Sequence, residues 1–290
     1  MRFSPAELYP PANLPDMAHG DRRTAAIIYA GLLAAAVLTV APFALGLLTS
    51  FTSARQFATG TPLSLPDPPT LENYTALGGA GFGRALAVTA LMTAIITLGQ
   101  LVFSVLAGYA FARLEFPGRD GLFWVYVATL MVPATVTVVP LYLMMAELGL
   151  RNTFWALVLP FVFGSPYAIF LLREYFRAIP GDLIKAAHLD GANTLDVIVH
   201  VVLPASKPIL ATLTLITVVS QWNSFMWPLV ITSGGQWRVL TVATAGLQSQ
   251  YNAQWTLVMA ATTVAIVPLI VLFLAFQRRI VSSIVVTGLK

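Results

Sequence analysis

The most informative absences in this chain of 290 residues are those of cysteine and of charge. Without any cysteine, the chain has no disulfide bridge, no thiolate metal site and no cysteine nucleophile. Only 10% of its residues are charged, whereas soluble globular proteins have roughly 25%. The basic residues do not gather in a patch with interleaved aromatic side chains, so nucleic acid is not an expected partner.

Apolar residues take the place of the missing charge. They make up 58% of the chain, and the mean hydropathy is +0.80. A soluble chain of this length cannot hide so much apolar surface in a single core. Lipid is therefore expected to be part of the solvent, and the chain is predicted to be a membrane protein.

Six long apolar runs are visible, and none of them contains Asp, Glu, Lys or Arg. They lie at residues 25–51, 85–112, 122–145, 154–172, 209–231 and 255–276. A helix needs roughly 20 residues to cross a hydrocarbon core of about 30 Å, and the fourth run is the shortest that meets this need. Several runs contain proline, which membrane helices tolerate with kinks. The sequence predicts an all-α membrane protein with six transmembrane helices.

The positions of lysine and arginine predict the orientation, because loops on the cytoplasmic side carry an excess of them. With the N-terminus placed in the cytoplasm, twelve of the sixteen basic residues lie on that side and four lie outside. The outer four are Arg55, Arg84, Arg151 and Arg238. Both termini are therefore expected to be cytoplasmic. The predicted segments are a tail at 1–23, the first span with an external loop at 24–84, a transmembrane core at 85–277, and a tail at 278–290.

One cytoplasmic connection, the loop at residues 173–208, has four basic and four acidic residues. A lipid-binding loop would be polybasic, whereas this balance is typical of a protein docking surface. The sequence predicts two short helices in it. The first begins near Pro180 and ends at Gly191 in the left-handed conformation, and the second begins at Asn193 as N-cap, with Asp196 in its first turn. The alternative is an ordinary amphipathic connector that lies on the membrane surface.

The sequence K-A-A-H-L-D-G-A at residues 185–192, followed by V-V-L-P at 201–204, resembles the EAA loop of ABC importer permeases. The pattern of that family is E-A-A-x-x-D-G-A, then I-x-L-P. Nine residues separate Gly191 from Val201, as in the family pattern. The register therefore agrees without a gap.

Weaker similarities connect the chain to the carbohydrate-type members of that family. They are P-T-L-E-N-Y at 69–74, G-L-R-N-T at 149–153 and W-N-S-F-M-W-P at 222–228. Two positions depart from the family pattern. Lys185 stands where the family has glutamate, which reverses the charge, and Ile198 stands where the family has an aromatic residue.

The resemblance implies the permease subunit of a type I ABC importer, a multi-pass protein of the bacterial inner membrane. The implied partners are a second homologous permease, two ATPase subunits that bind ATP and Mg, and an extracytoplasmic solute-binding protein. The implied solute is a sugar, or alternatively glycerol phosphate or a glycerophosphodiester. This chain has no G-x-x-x-x-G-K-[ST] sequence for binding nucleotide phosphates, and no cofactor, catalytic residue or metal site is expected in it. The residues implied in ATPase coupling are Lys185, Ala186, Ala187, Asp190, Gly191, Ala192, Leu203 and Pro204.

Polar residues inside the apolar runs are the candidates for a solute pathway. The second run carries a polar stripe on one helical face, formed by Thr89, Thr93, Thr97, Gln100 and Ser104. From this stripe and the fifth run, the predicted pathway residues are Gln100, Gln221, Asn223 and Trp222, whose ring would stack on a sugar. The alternative is helix packing, since Ser and Thr bond their own backbone and lie at helix seams. Trp227 is predicted to lie in the interfacial aromatic belt.

The alternatives to the permease are a secondary transporter driven by protons or sodium and an intramembrane enzyme. A proton-coupled secondary transporter usually needs an Asp, Glu or His within the membrane, and the six runs contain none. An intramembrane enzyme needs a nucleophile with a base, or clustered metal ligands, at the same depth. His188 and His200 lie in the 173–208 loop and have no metal-ligand companions in sequence.

Overall fold

Within residues 22–61, 64–248 and 254–287, which the computed structural model describes, the chain is built from helices and their connections, with no strand. The long helices are α1 (Arg22–Ser50), α4 (Phe82–Arg113), α12 (Lys207–Trp222) and α15 (Trp255–Thr287). The others are α2 (Ala54–Thr59), α3 (Glu72–Gly79), α5 (Arg119–Ala128), α6 (Ala134–Glu147), α7 (Phe154–Val158), α8 (Pro166–Ala178), α9 (Gly181–Leu189), α10 (Thr194–Val197), α11 (Leu203–Ala205), α13 (Met226–Ile231) and α14 (Leu240–Gly246). A 3₁₀ turn (Thr129–Met131) follows α5, and a π-helical turn (Ile198–Val202) joins α10 to α11.

Three helical segments are long and apolar enough to cross a membrane, namely Thr24–Ser50, Phe82–Arg113 and Trp255–Phe276. They correspond to the first, second and sixth predicted spans. Two pairs of helices pass the same test only when each bent pair is counted as one span, which raises the number to five. The count of six therefore stays a prediction. The predicted tail at 1–23 lies almost wholly outside the described residues, while residues 278–287 of the other tail continue α15 as helix.

The third, fourth and fifth apolar runs are not single straight helices. In the third, the segments on either side of Pro133 meet at 102°, and the fifth is interrupted after α12 by residues 223–225. In the fourth, residues 159–165 between α7 and α8 are not helical. Proline explains part of this, because it removes a backbone donor and clashes with the preceding turn.

The interruption at 159–165 is stabilised by side chains from α4. Gln100 donates from Nε2 to the carbonyl oxygen of Phe161 at 2.8 Å, and the hydroxyl of Ser104 accepts from the backbone N–H of Ser165 at 3.1 Å. Non-helical backbone at membrane depth is tolerated where such partners satisfy its polar groups. The sequence alone predicts a continuous fourth helix because it does not display these partners.

α4 is the central helix and packs closely on α8 and α12. A Cβ atom at Gly108 would lie 2.9 Å from Cβ of Leu172 in α8, so this crossing needs glycine. One buried cluster includes Met92 and Ile96 of α4, and a second lies toward the end of α4 around Leu172. α1 instead packs along α15 and exposes most of its apolar side chains. In a membrane protein such a surface is available to lipid or to another subunit.

The motif at residues 69–74 has a structural role through Asn73. This side chain is 8% exposed, and its Nδ2 donates to the carbonyl oxygens of Ser50 and Thr52, both at 2.9 Å. Its Oδ1 accepts from Oγ1 of Thr256 at 3.0 Å. Asn73 therefore joins the end of α1 to the start of α15.

The motif at residues 149–153 likewise fixes a junction. Asn152 has φ of 55°, and its Oδ1 accepts from the backbone N–H groups of Ser233 and Gly234 at 3.2 Å. Asparagine tolerates this left-handed conformation better than most residues. The turn before α7 is thereby bound to the segment that follows α13.

Candidate functional site

The predicted loop begins too early, because its residues 173–178 belong to α8. The part that follows folds as the residues predict. α9 follows Pro180, carries Asp182 in its first turn and ends at Leu189. Gly191 then has φ of +85°, the left-handed conformation that ends many helices and that glycine adopts without a Cβ penalty. No atom lies within 4 Å of the position that a Cβ would occupy at Gly191, so the apex of the loop is open.

The second half begins with the predicted cap. Oδ1 of Asn193 accepts from the backbone N–H groups of Leu195 at 2.9 Å and Asp196 at 3.1 Å. Oδ2 of Asp196 accepts in turn from the backbone N–H of Asn193 at 3.1 Å. This reciprocal arrangement is a capping box, which satisfies donors that the start of a helix leaves free. α10 therefore begins at a defined residue just past the apex.

The base of the loop is buried, although its apex is exposed. Ile184 of α9 and Val197, Ile198 and Val202 of the second half belong to the buried cluster that includes Phe176 of α8. Ile198, which replaces the aromatic residue of the family pattern, is 5% exposed and packs in this base. The loop is thus held by apolar packing rather than lying free on a surface.

The apex presents apolar side chains that the sequence analysis did not single out. Leu189 is 89% exposed and Leu195 is 62% exposed, on either side of Gly191. Leucines this exposed contribute little to the packing of their own chain. The sequence does not single them out, because the 173–208 segment has many other large apolar residues and only burial separates the two sets.

The remaining predicted coupling residues divide into exposed and packed sets. Nζ of Lys185 lies 3.6 Å from Oδ1 of Asp182, and the two side chains are 78% and 96% exposed. Such an exposed pair contributes only about 0–1 kcal/mol. The other exposed residues of the predicted set are Ala186, Asp190, Gly191 and Pro204. The half-buried ones, which pack against the base, are Ala187, Ala192 and Leu203.

The polar stripe of α4 faces the protein interior. Thr89, Thr93, Thr97 and Ser104 are all at most 6% exposed. Oγ1 of Thr89 accepts from the backbone N–H of Leu240 at 2.8 Å, and Gln100 and Ser104 bind the interrupted fourth run. These contacts favour the packing alternative for Thr89, Gln100 and Ser104. The buried hydroxyl groups of Thr93 and Thr97 have no hydrogen-bond partner within the described chain. Gln100, a predicted pathway residue, acts here as a donor to backbone.

Two expectations about tryptophan are corrected by burial. Trp222 is 7% exposed, and its Nε1 donates to the carbonyl oxygen of Ala265 in α15 at 3.1 Å, so its ring is not free to stack on a sugar. Trp227 is 6% exposed and donates to the carbonyl oxygen of Ala156 at 3.0 Å. It is a core residue rather than part of an interfacial belt, because it packs in the buried cluster with Met92 and Ile96.

The other two pathway candidates remain accessible at the end of α12. Asn223 is exposed and Gln221 is half-buried. Nδ2 of Asn223 donates to the carbonyl oxygen of Val219 at 2.8 Å. Both amides lie next to the interruption in the fifth run, and their place in a solute pathway stays a prediction.

The histidines of the loop bind backbone. Nδ1 of His188 lies 3.0 Å from the carbonyl oxygen of Ala192, and Nδ1 of His200 lies 3.0 Å from that of Asp196. Across the described parts of the chain, no group of three or more His, Asp or Glu side chains is placed to hold a metal ion.

Comparison with known proteins gives consistent matches over most of the chain. The model of the family described as binding-protein-dependent transport system inner membrane component matches residues 100–286. The permease protein NgcG of the diacetylchitobiose uptake system of Streptomyces coelicolor is 34% identical over 275 residues, which cover 92% of this chain and 89% of the relative.

Other relatives are named for different solutes. The arabinooligosaccharide permease AraQ of Halalkalibacterium halodurans is 31% identical and the match covers 78% of this chain and 81% of the relative. The sn-glycerol-3-phosphate permease UgpE of Yersinia pestis is 34% identical, with 76% and 82% covered.

Among solved structures, a chain of a bacterial ABC transporter involved in the import of the acidic polysaccharide alginate has a TM-score of 0.77 at 26% identity. The match covers 88% of this chain and 96% of that one. A chain of the alginate transporter in complex with a pentasaccharide-bound periplasmic protein has a TM-score of 0.60 at 16% identity, which shows the same fold.

Proposed function

This chain belongs to the family of binding-protein-dependent transport system inner membrane components, and we propose that with a second homologous permease it forms the translocation path of an importer. The family predicted from the resemblance at residues 185–204 is confirmed. The chain is a multi-pass permease subunit of an ABC transporter for sugars or sugar-like solutes. Its assignment to the bacterial inner membrane follows the family description and is part of the proposal.

The observation that carries the proposal is the contrast within the 173–208 loop between a buried base and an exposed apex. Val197 and Val202 are fully buried, while Gly191 is open and Leu189 projects outward. A rigid apex that offers small and apolar groups can enter a cleft on another protein. We assign this apex to docking on an ATPase subunit.

The free energy of ATP hydrolysis is then transmitted to this chain through that contact. Two ATPase subunits bind ATP and Mg and change conformation on hydrolysis, whereas this chain has no phosphate-binding P-loop sequence. Coupling between separate sites is a free energy carried by contacts that differ between states. An extracytoplasmic solute-binding protein delivers the solute to the opposite face.

The proposed topology has six spans with both termini in the cytoplasm. α1, α4 and α15 supply three spans, and the interrupted runs three, four and five supply the rest. The distribution of basic residues, twelve against four, supports the orientation. In intact cells, a cysteine at Gly235 is expected to react with an impermeant reagent, and one at Asn193 is not. Reversed labelling would overturn the orientation.

The proposed solute is an oligosaccharide. Diacetylchitobiose and arabinooligosaccharide relatives favour this class, and the glycerol phosphate relative keeps glycerol phosphate or a glycerophosphodiester as the alternative. On this chain, Gln221 and Asn223 are the proposed contacts with the solute. Gln100 and Trp222, which bind backbone within the chain, support the helices around that path.

The decisive test is uptake by vesicles that contain this chain, its partner permease and the ATPase subunits. With ATP enclosed and the solute-binding protein outside, labelled oligosaccharide should accumulate. Uptake driven by a proton or sodium gradient without ATP would contradict the proposal and favour a secondary transporter. Titrating the solute-binding protein with chito- and arabinooligosaccharides and with glycerol phosphate identifies the solute.

A further inference from the structure

The last residue of α4 binds the end of α8. Nε of Arg113 donates to the carbonyl oxygen of Phe176 at 3.1 Å. Its Nη2 donates to the same oxygen and to the carbonyl oxygen of Ile179, and lies 3.5 Å from that of Arg177. One guanidinium group therefore spans the final turn of a helix that is more than sixty residues away in sequence.

This arrangement is favourable for reasons that apply to any helix end. The last four carbonyl groups of a helix lack intrahelical donors, and a cation there interacts favourably with the helix dipole. The planar fork of arginine can bind several carbonyl oxygens at once, which the ammonium group of lysine does less well. Arg113 thus fixes the place at which α8, ending at Ala178, gives way to the next segment.

That next segment is α9, the first helix of the proposed ATPase-docking loop. Gly181 begins α9 only two residues after Ile179, whose carbonyl oxygen Arg113 binds. Ile179 and Ile184 flank this junction and both pack in the buried cluster with Phe176. The junction has little freedom to move separately from the end of α4.

An arginine of α8 in turn contacts α4 and α5. Arg173, whose side chain is 11% exposed, places its guanidinium carbon 4.0 Å from the ring centroid of Phe123 in α5. Its Nε lies 3.4 Å from the carbonyl oxygen of Phe111 in α4, and its Nη2 lies 3.5 Å from Oδ1 of Asp120. Each of α4 and α8 therefore contributes an arginine to the backbone of the other.

The part of α4 that precedes Arg113 binds the segments around the proposed solute path. Thr89 binds the start of α14, and Gln100 binds the interruption before α8. α4 is a single helix over its 32 residues, so a displacement at Arg113 is transmitted along it. A rigid element that is bound at both ends can carry coupling between two sites.

We propose that Arg113 is a positioning residue for coupling, which transfers displacement of the docking loop into α4 and so into the solute path. The inference rests on the proposed function, because it takes α9 and α10 as the ATPase-docking segment. A purely local role, in which Arg113 only caps α8, predicts loss of stability without a change in coupling.

The test compares Arg113→Met and Arg113→Lys with Arg119→Met in the complete reconstituted transporter. Arg119 is a matched control because it is also half-buried. Its guanidinium group donates to the carbonyl oxygen of Leu114, just past α4, and to the carboxylate of Asp120 at the start of α5. The measured quantity is the amount of solute transported per ATP hydrolysed, for each assembled complex. Arg113→Met should lower this ratio by about fivefold or more. Arg113→Lys should give an intermediate ratio, and Arg119→Met should leave it unchanged.

An unchanged ratio in Arg113→Met would overturn the inference. So would a loss of assembled complex with the same ratio in the complex that remains, since that outcome describes a stabilising cap alone. If Arg113→Met does not accumulate, the amount of solute transported per ATP hydrolysed by Arg113→Lys tests the inference, and an unchanged ratio would overturn it. A wild-type transporter without solute-dependent ATP hydrolysis would instead contradict the proposed function.

A second measurement tests the mechanical connection directly. Because the chain has no cysteine, spin labels can be attached through Glu115→Cys, just past α4, and Asp182→Cys, in the first turn of α9. With Arg113 present, the distance distribution between the labels should be narrow in each nucleotide state. In Arg113→Met it should broaden, and an unaltered distribution would contradict the proposal.

Discussion

The apex of the 173–208 loop and the polar stripe of α4 both carry small or polar residues, but they face opposite environments. At the apex of the loop, no atom approaches the open side of Gly191 within 4 Å. In the stripe, Thr89 is 1% exposed and its hydroxyl binds the backbone of α14. The apex leaves Gly191 open, whereas Thr89, Gln100 and Ser104 of the stripe bind the backbone of other segments of the same chain.

The contrast shows that a polar residue in a membrane protein is not by itself a sign of a solute path. Gln100 and Trp222 were both candidates for that path, and both donate hydrogen bonds to carbonyl oxygens of this chain. Burial without a partner would be costly, and these contacts remove that cost. Asn223 and Gln100 are both amides within apolar runs, but of the two only Asn223 is exposed.

The largest expected effect tests the outward-facing region, through Gly191→Val. Valine resists the φ of +85° at this position, typically by about 1–2 kcal/mol, and its side chain would enter the proposed interface. The spans are untouched, so the protein should insert and accumulate normally. We expect loss of solute-stimulated ATP hydrolysis, or loss of the ATPase on co-purification.

A matched control separates backbone strain from docking. Gly118 has φ of +79°, and no atom lies within 4 Å of the position of its missing Cβ. Gly118→Val should therefore impose similar strain in the connection from α4 to α5 without blocking the apex. If both variants lose coupling equally, or if Gly191→Val transports normally, the assignment of the apex to docking is wrong.

A smaller effect sharpens the distinction between the two amides. Gln100→Ala removes the side-chain donor to Phe161, which typically costs about 1–3 kcal/mol when the remaining group is buried. We expect a lower melting temperature of the purified protein, with uptake reduced only as far as the folded fraction falls. Asn223→Ala should leave the melting temperature unchanged and raise the KM for uptake of solute from the binding protein.

The opposite pattern would reverse the two assignments. If Asn223→Ala has the same uptake kinetics as the wild type, Asn223 only caps the end of α12. A raised KM in Gln100→Ala at unchanged stability would place Gln100 back in the solute path.

The smallest expected effect concerns Lys185→Glu, which restores the usual residue of the family at the apex. Lys185 pairs with Asp182 at 3.6 Å, and both side chains are exposed, so the change should alter the affinity for the ATPase by no more than about 1 kcal/mol. Titration of the solubilised permease complex with ATPase measures this. A much larger loss would show that the amine meets an acidic surface on the ATPase.

The features that residues alone predicted correctly are local. The left-handed Gly191 and the capping box of Asn193 and Asp196 are formed by atoms no more than five residues apart. Residue type and spacing are sufficient for such features, because the chain brings these groups together whatever the rest of the fold does. The apolar runs that became α1, α4 and α15 were equally predictable, since helix formation satisfies their backbone within each run.

The sequence by itself determined the membrane class, the family and the helix ends of the 173–208 loop. Only the tertiary structure decided that the fourth run is interrupted, that Trp222 and Trp227 are buried, and that Arg113 binds the end of α8. Each of these depends on a partner far along the chain, such as the 61 residues between Gln100 and Phe161 or the 151 between Thr89 and Leu240. An apolar run does not reveal which distant side chain will satisfy its backbone, and that pairing is settled only when the helices pack.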